Sequence, residues 1–362
     1  MPGSPAVTNP VSWPEARIAI LGPFPPRPGG VSVQCAILAD ELEAAGARVT
    51  RINTDAPALR QRGGWRKGLL PLAQVAGVHR ELRRTRDAWD ILHVHAASWW
   101  GFMPAVLGLQ ARRWGKRLAL TYHGGEAAQF MARYGRFAAG VLARYHALLT
   151  LTATQRQIFR QYQLAPTVVP NIVPVSRYIF RQRGPVQPRL LWLRHLEARY
   201  RPDDALAVFA RVREAYPAAS LNVVGGGPLR PQLQARVREM SLAGVQFTGP
   251  LPSARIPAAY DAADIFLNTS AVDNLPLTLI EASASGLPVV STNAGAISDL
   301  IHDGENGLLA AVGDVEALAS NILRLLADAD LARRLSRAAR ENALQYDWPQ
   351  VAPRLARAYG LT

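Results

Sequence analysis

Two doubly wound α/β units, built on parallel sheets and facing each other across a cleft, are the fold that this 362-residue sequence predicts. Three observations lead there. Short apolar runs bounded by turn residues alternate with longer amphipathic segments from end to end, the rhythm of strands wrapped by helices. The length exceeds what one hydrophobic core usually organises, so two domains are expected. Near the middle, "FRQRGPVQPR" (180–189) breaks all periodicity with Gly, two Pro and charge, which reads as a linker.

The elements follow in order. In the first half, strands are expected at 17–21 (RIAIL), 48–53 (RVTRIN), 90–95 (DILHVH), 117–122 (RLALTY) and 147–152 (ALLTLT). In the second half they are expected at 189–193 (RLLWL), 220–225 (SLNVVG), 245–249 (VQFTG), 264–268 (DIFLN) and 288–292 (PVVST). Intervening stretches supply the helices. The boundaries read as a flexible tail over 1–16, an acceptor-side domain over 17–183, a donor-binding domain over 184–345, and a C-terminal helix over 346–362 that packs back toward the first domain. Ligands of such sheets bind beyond the carboxyl ends of the strands.

Composition narrows the class. With 49% hydrophobic and 19% charged residues the chain reads as globular. One cysteine, Cys35, excludes an internal disulfide and a cysteine-based metal site, and suits a reducing, cytoplasmic compartment. The N-terminus lacks the basic start and apolar core of a secretory signal. The apolar stretch 96–110 is shorter than the roughly 20 residues of a membrane span. Residues 1–185 hold 24 basic against 9 acidic side chains, so the first half carries the whole charge excess and calls for an anionic surface or partner.

Candidate site residues lie in the loops after strands. In "DNLPLTLIEASASGLPVV" (273–290), Asp273 follows a strand, Pro276 presets the start of a helix running from Leu277 to Ser285, and Glu281 lies one turn in. A helix N-terminus favours phosphate, and a carboxylate can accept both hydroxyls of a ribose. An isolated acid pair is more often a cap and a solvated side chain. Arg194, just past a strand, and Arg199, five residues on, present donor forks suited to a diphosphate, with Arg201 close enough to compete. Gly226, within the run 225–227, permits close backbone approach. In the first half, Gly29 and Gly30 precede a helix start, and His123 follows a strand. His93 and His95 share one strand face without a third ligand and read as core and cleft lining.

Together "GPFPPRPGGVS", "HVH", "TYHGGE", "VVPNIV", "VVGGGPL", "VQFTG", "DNLPLTLIEASASGLPVVSTNAGAISDLI" and "DGENGLL" resemble glycosyltransferase family 4, retaining enzymes of GT-B architecture. The resemblance covers nearly the whole chain. It implies a hexosyltransferase that moves a hexose from a UDP- or GDP-linked sugar to an acceptor hydroxyl with retained configuration, in polysaccharide or glycolipid biosynthesis. Arg194, Arg199, Asp273 and His123 would then be catalytic. Gly29, Gly30, Gly226, Asn274, Leu275, Pro276, Leu277, Thr278 and Glu281 would bind the donor, Asp273 touching the sugar and Glu281 the ribose. The first acid is Asp where the family usually has Glu. No cofactor and no essential metal are implied, the nucleotide diphosphate sugar being the co-substrate. "DAD" (328–330) resembles the metal-binding acids of the other glycosyltransferase architecture but lies between helices.

The acceptor side reads from the basic half. Residues 60–86 mix Arg and Lys67 with Trp65, Leu69, Leu70, Leu72, Val75 and Leu82, the make-up of a helix lying on an anionic membrane or, equally, of one packing its apolar side inward. A lipid-linked or sugar acceptor and peripheral contact with the inner face of the plasma membrane are expected. Other classes are a non-catalytic nucleotide-sugar-binding partner of another transferase, and a nucleic-acid binder, against which the lack of any recognition motif counts.

Overall fold

A computed structural model describes residues 13–26, 29–55 and 70–361 of the chain. These form two compact units, one of residues 1–151, 156–169 and 348–362, the other of 152–155 and 170–347.

The first unit is a six-stranded sheet in the order β2-β1-β3-β4-β5-β6, parallel at every pairing: β1 (Arg17–Gly22), β2 (Arg48–Asn53), β3 (Ile91–Ala96), β4 (Arg117–Tyr122), β5 (Ala147–Thr150) and β6 (Thr167–Val168). Leu21 of β1 stands opposite Ile52 on one side and Val94 on the other. All six residues of β3 are buried, as expected of a strand covered on both faces. The covering helices are α1 (Gly30–Ala44), α2 (Leu70–Thr85), α3 (Met103–Gly108), α4 (Ala127–Leu142) and α5 (Ala153–Arg160), whose first three residues belong to the second unit. Ile52, Leu82, Val94, Leu120, Phe130 and Phe159 join one core, each contributing about 1.5–3 kcal/mol by leaving water.

The second unit is also six-stranded and parallel, in the order β12-β11-β10-β7-β8-β9: β7 (Arg189–Leu193), β8 (Ser220–Val224), β9 (Val245–Gly249), β10 (Ile265–Asn268), β11 (Val289–Thr292) and β12 (Leu308–Ala310). Its helices are α6 (Pro202–Ala215), α7 (Arg230–Glu239), α8 (Ile256–Asp261), α9 (Leu277–Ala284), α10 (Val315–Ala327) and α11 (Ala329–Ala343). Trp192, Phe209, Val223, Leu267, Val290 and Leu335 fill its core. The strand order reverses between β7 and β10, the crevice where doubly wound sheets take ligands. All ten strands read from the sequence are present. The short edge strands β6 and β12, at 2 and 3 residues, have too few residues to carry a period and were not foreseen.

Two expectations need correction. The stretch 180–189 is not a linker but part of the second unit. Arg183 is buried there and donates to the carbonyls of Tyr260 (3.1 Å), Ala263 (3.2 Å) and Ser285, so its cation gathers the carboxyl ends of α8 and α9. Burial lowers its pKa to about 10. The tail expected over 1–16 is ordered from Trp13, which packs on Trp348 (5.6 Å between centroids) and Tyr359 of the last helix, α12 (Trp348–Tyr359); residues 1–12 lie outside those described. α12 belongs to the first unit. Within the segment 60–86, residues 60–69 lie outside those described, while α2 turns Val78 and Leu82 into the core. Among the described residues no helix is long and apolar enough to cross a membrane.

Candidate active site

Three loops at the carboxyl ends of β7, β8 and β10 build the arrangement in the second unit. Arg194 leaves β7 and donates through Nη2 to Asp273, both side chains being nearly buried. Its Nε donates to Asn268 Oδ1 at 3.3 Å. Asn268, fully buried at the end of β10, is fixed in turn by Ser270 (2.8 Å) and Ser291 (2.9 Å). A buried network of this kind aims the guanidinium before any ligand arrives. The Asp273 carbonyl accepts from Ala296 N at 3.2 Å, while a Cβ on Gly295 would lie 1.9 Å from that oxygen.

The glycine run after β8 serves the same loop. A Cβ at Gly225 would meet Arg194 O at 1.9 Å and one at Gly227 would meet Leu196 O at 2.5 Å. The close approach is therefore to residues 194–196, and Gly226 joins them through its carbonyl, which accepts from Leu196 N at 2.9 Å. Tyr200 lies between two cations, its ring 5.1 Å from the Arg194 guanidinium and 5.0 Å from that of Arg199. Arg199 is more than half exposed and pairs with Glu197 at 2.7 Å. Arg201 instead turns to Asp204 at the start of α6 and lies against Gly313. Of the two candidates, Arg199 is the one beside Arg194.

α9 begins one residue after Pro276, with Asn274, Leu275 and Leu277 buried at its start. Thr152 Oγ1 donates to Asn274 Oδ1 (3.1 Å) and Asn171 Nδ2 to Leu275 O (3.1 Å), which anchors the segment. Asn274 Nδ2 and Thr278 Oγ1 are buried at the start of α9 without a hydrogen-bond partner. Glu281 accepts from Tyr260 Oη at 2.8 Å and from Tyr178. Burial raises its pKa, opposed by the two tyrosines and by the Arg177 and Arg194 guanidinium groups. The rejected "DAD" has a structural explanation: Asp328 caps α11 by accepting from Asp330 N (3.0 Å) and Leu331 N (2.9 Å).

In the first unit His123 follows β4, and its Nε2 shares a hydrogen bond of 2.8 Å with His95 Nδ1. The His95 ring stands 4.4 Å from that of His93, which is held by Thr121 and by Tyr359 Oη of α12, both at 2.7 Å. Burial lowers His93 to about 3, His123 to about 4, and His95 well below its ordinary value. All three are neutral at pH 7. Unfolded, each binds a proton near pH 6.5, so the stability they bring is complete above that pH and is lost progressively as pH falls from about 6.5 toward about 4 for His123 and about 3 for His93. Urea unfolding at pH 7 and pH 5 is expected to show the loss, with up to about 1.4 kcal/mol per pH unit contributed by each excluded proton. His93→Gln should flatten it. An equal pH slope in wild type and variant would refute the assignment.

Gly29 and Gly30 open α1, Gly29 at a φ of 131° that only glycine adopts freely, and both are exposed. No atom lies within 4 Å of a Cβ built on either.

A fixed cation, a helix N-terminus and acids beyond the strand ends suit a ligand that joins phosphate to sugar hydroxyls, and two doubly wound units with such a site define a GT-B glycosyltransferase. Residues 180–342 match the family described as Glycosyl transferases group 1, and residues 28–177 match Glycosyltransferase Family 4. The chain belongs to the group 1, family 4 glycosyltransferases. It is 29% identical over 307 residues to a glycogen synthase of Mycobacterium tuberculosis, covering 78% of this chain and 72% of the relative. It is 26% identical over 380 residues to a GDP-mannose-dependent alpha-(1-6)-phosphatidylinositol monomannoside mannosyltransferase of Mycolicibacterium smegmatis, covering 94% and 97%. Among solved structures it resembles a sucrose-phosphate synthase of Thermosynechococcus elongatus, with a TM-score of 0.78 at 19% identity over 95% of this chain and 98% of the other. Hexosyl transfer from a nucleotide sugar is the role these relatives support.

Arg194, Arg199, Asp273, Glu281 and the 274–278 segment are thus gathered in one unit, whereas His123, Gly29 and Gly30 belong to the other. Sequence reading overlooked Tyr178, Tyr200, Tyr260 and Asn268. Single aromatic or amide residues in amphipathic stretches give no local sign of what they touch.

Proposed function

We propose that the protein transfers a hexose from a UDP- or GDP-linked donor to a hydroxyl of a lipid-linked or sugar acceptor, with retention and without a metal, in polysaccharide or glycolipid biosynthesis at the cytoplasmic face of a membrane. The observation that carries it is the Arg194–Asp273 pair beside Glu281 and the start of α9. As the bond to the donor sugar breaks, charge grows on the β-phosphate. Arg194 and Arg199, with the first-turn amides of α9, stabilise it without reorganising. Asp273 holds the sugar hydroxyls and steadies Arg194, and Glu281, already aligned by two tyrosines, takes the ribose diol. Asn274 and Thr278 supply hydrogen bonds, and Leu275, Pro276 and Leu277 shape the wall. Gly226 holds the Arg194 loop. His123, neutral at pH 7, offers its remaining ring nitrogen to the transferred sugar, and Gly29 with Gly30 lies along the phosphates. The acceptor attacks on the face from which the phosphate departs, a phosphate oxygen taking its proton, so no protein nucleophile is required.

The basic first half gives peripheral contact with an anionic membrane. The test is a thermal-shift screen against UDP, GDP, ADP and their hexose conjugates, with and without EDTA. A shift retained in EDTA and lost in Glu281→Ala is expected. Absence of any shift from folded protein would overturn the donor site. The anomeric configuration of the product, read by NMR, tests retention.

A further inference from the structure

We propose that the face made by α4 and the Trp99–Trp100 loop docks the protein onto an anionic bilayer surface. This rests on the reading of a transferase at a membrane and gives that contact a place other than residues 60–86.

α4 buries Phe130, Met131, Ala138, Val141 and Leu142 and leaves Arg133, Tyr134, Arg136 and Phe137 outward. Phe137 is 59% and Tyr134 41% exposed, and beside them stand Trp99 at 43% and Trp100 at 75%. Trp99 meets Tyr134 at 6.0 Å, Phe137 joins them through the buried rings of Phe102 (6.2 Å) and Phe130, and Trp100 follows Trp99 in the chain. An exposed patch of four large aromatic residues is unusual for a surface that faces only water.

The patch is held rather than loose. Trp99 adopts a φ of 58°, a conformation costing an L-residue about 1–2 kcal/mol. Its Nε1 donates to Glu126 at 2.6 Å, across the start of α4. A Cβ on Gly124 would lie 2.5 Å from Ser98 Oγ, so the loops after β3 and β4 clasp each other.

Charge selects the occupant. On α4 the outward charges are Arg133 and Arg136, and the acid at its start, Glu126, accepts from Trp99 Nε1. Arg133 lies over the Tyr134 ring at 5.6 Å. Aromatic rings at headgroup depth with arginines between them are the make-up of an interfacial surface, and a neutral oligosaccharide would offer the arginines no counter-charge.

The test is flotation of the full chain with phosphatidylcholine vesicles and with vesicles partly replaced by phosphatidylglycerol. Wild type is expected to float with the anionic vesicles. Trp100→Ser with Phe137→Ser, and separately Arg133→Gln with Arg136→Gln, should each reduce partitioning about tenfold or more. Trp100, largely exposed, can be replaced alone without harming the fold, which far-UV circular dichroism verifies. Wild type that floats with neither vesicle, or variants that float like wild type, would overturn the proposal. So would variants that float normally yet raise KM for a soluble oligosaccharide acceptor, making this face a sugar platform. Donor-induced thermal shifts on the same samples judge the transfer reading separately: flotation without any shift supports docking and overturns that reading.

Discussion

Arg194→Ala is expected to lower kcat/KM for hexosyl transfer by about 10²–10³-fold, the loss seen when one preorganised charge-stabilising donor is removed. The guanidinium is positioned before donor binds, by Asp273 on one nitrogen and Asn268 on another, so its effect on the departing phosphate needs no rearrangement. Most of the loss should fall on kcat, because charge on the phosphate is greater in the transition state than in the ground state. Arg194→Lys should be intermediate, keeping a charge but not the fork that reaches two partners. The alanine variant also strands the nearly buried Asp273 carboxylate, a destabilisation of about 1–3 kcal/mol. Adding Asp273→Asn should restore that stability and no activity. Steady-state kinetics and urea unfolding of the three variants measure both. A kcat/KM within fivefold of wild type in Arg194→Ala would remove the residue from the proposed mechanism.

Gly295→Ala should be strongly destabilising for a single-methyl change. Its φ is 61°, and the added carbon would lie 1.9 Å from the Asp273 carbonyl oxygen, which is backbone and cannot swing aside. The left-handed conformation alone costs about 1–2 kcal/mol. With the displaced loop, the total is expected near 3 kcal/mol, a fall in Tm of about 6–12 °C for a unit of this size. Activity should fall as well, since the Asp273 carbonyl is held by Ala296 N in the same turn. Gly30→Ala is the stability control, with no positive φ and nothing within 4 Å. A Gly295→Ala protein with unchanged Tm and kcat would show that the loop yields freely and that the placement of Asp273 is not rigid.

The legible part of the site was the part written in adjacent residues. Pro276 and the apolar run behind it marked the start of α9 to within a residue. Arg194, Asp273 and Glu281 were each placed after the right strand, and their gathering in one unit follows from parallel strands whose carboxyl ends lie on one edge. What stayed illegible depends on contacts between distant segments. Tyr260 reaches Glu281 across 21 positions, and Arg194 meets Asp273 across 79, so no local pattern could pair them. The glycine run 225–227 showed this most plainly, since close approach was foreseen but its object, the backbone of 194–196, was not. The segment 180–189 looked like a linker for the same reason. Gly, Pro and charge are what a linker and an irregular buried segment have in common, and only the carbonyls around Arg183 tell them apart.

By itself the sequence determined the α/β class, ten strands, the charge asymmetry and the loops that carry the acids and arginines, because these rest on periodicity and on residues near one another in the chain. The tertiary structure alone decided that Asp273 and Arg194 form a pair, that Glu281 is held by tyrosines, that Arg199 rather than Arg201 stands beside Arg194, and that Trp13 and the last helix complete the first unit. Each of these depends on packing between segments far apart in sequence, where desolvation, rather than local backbone preference, fixes which groups meet.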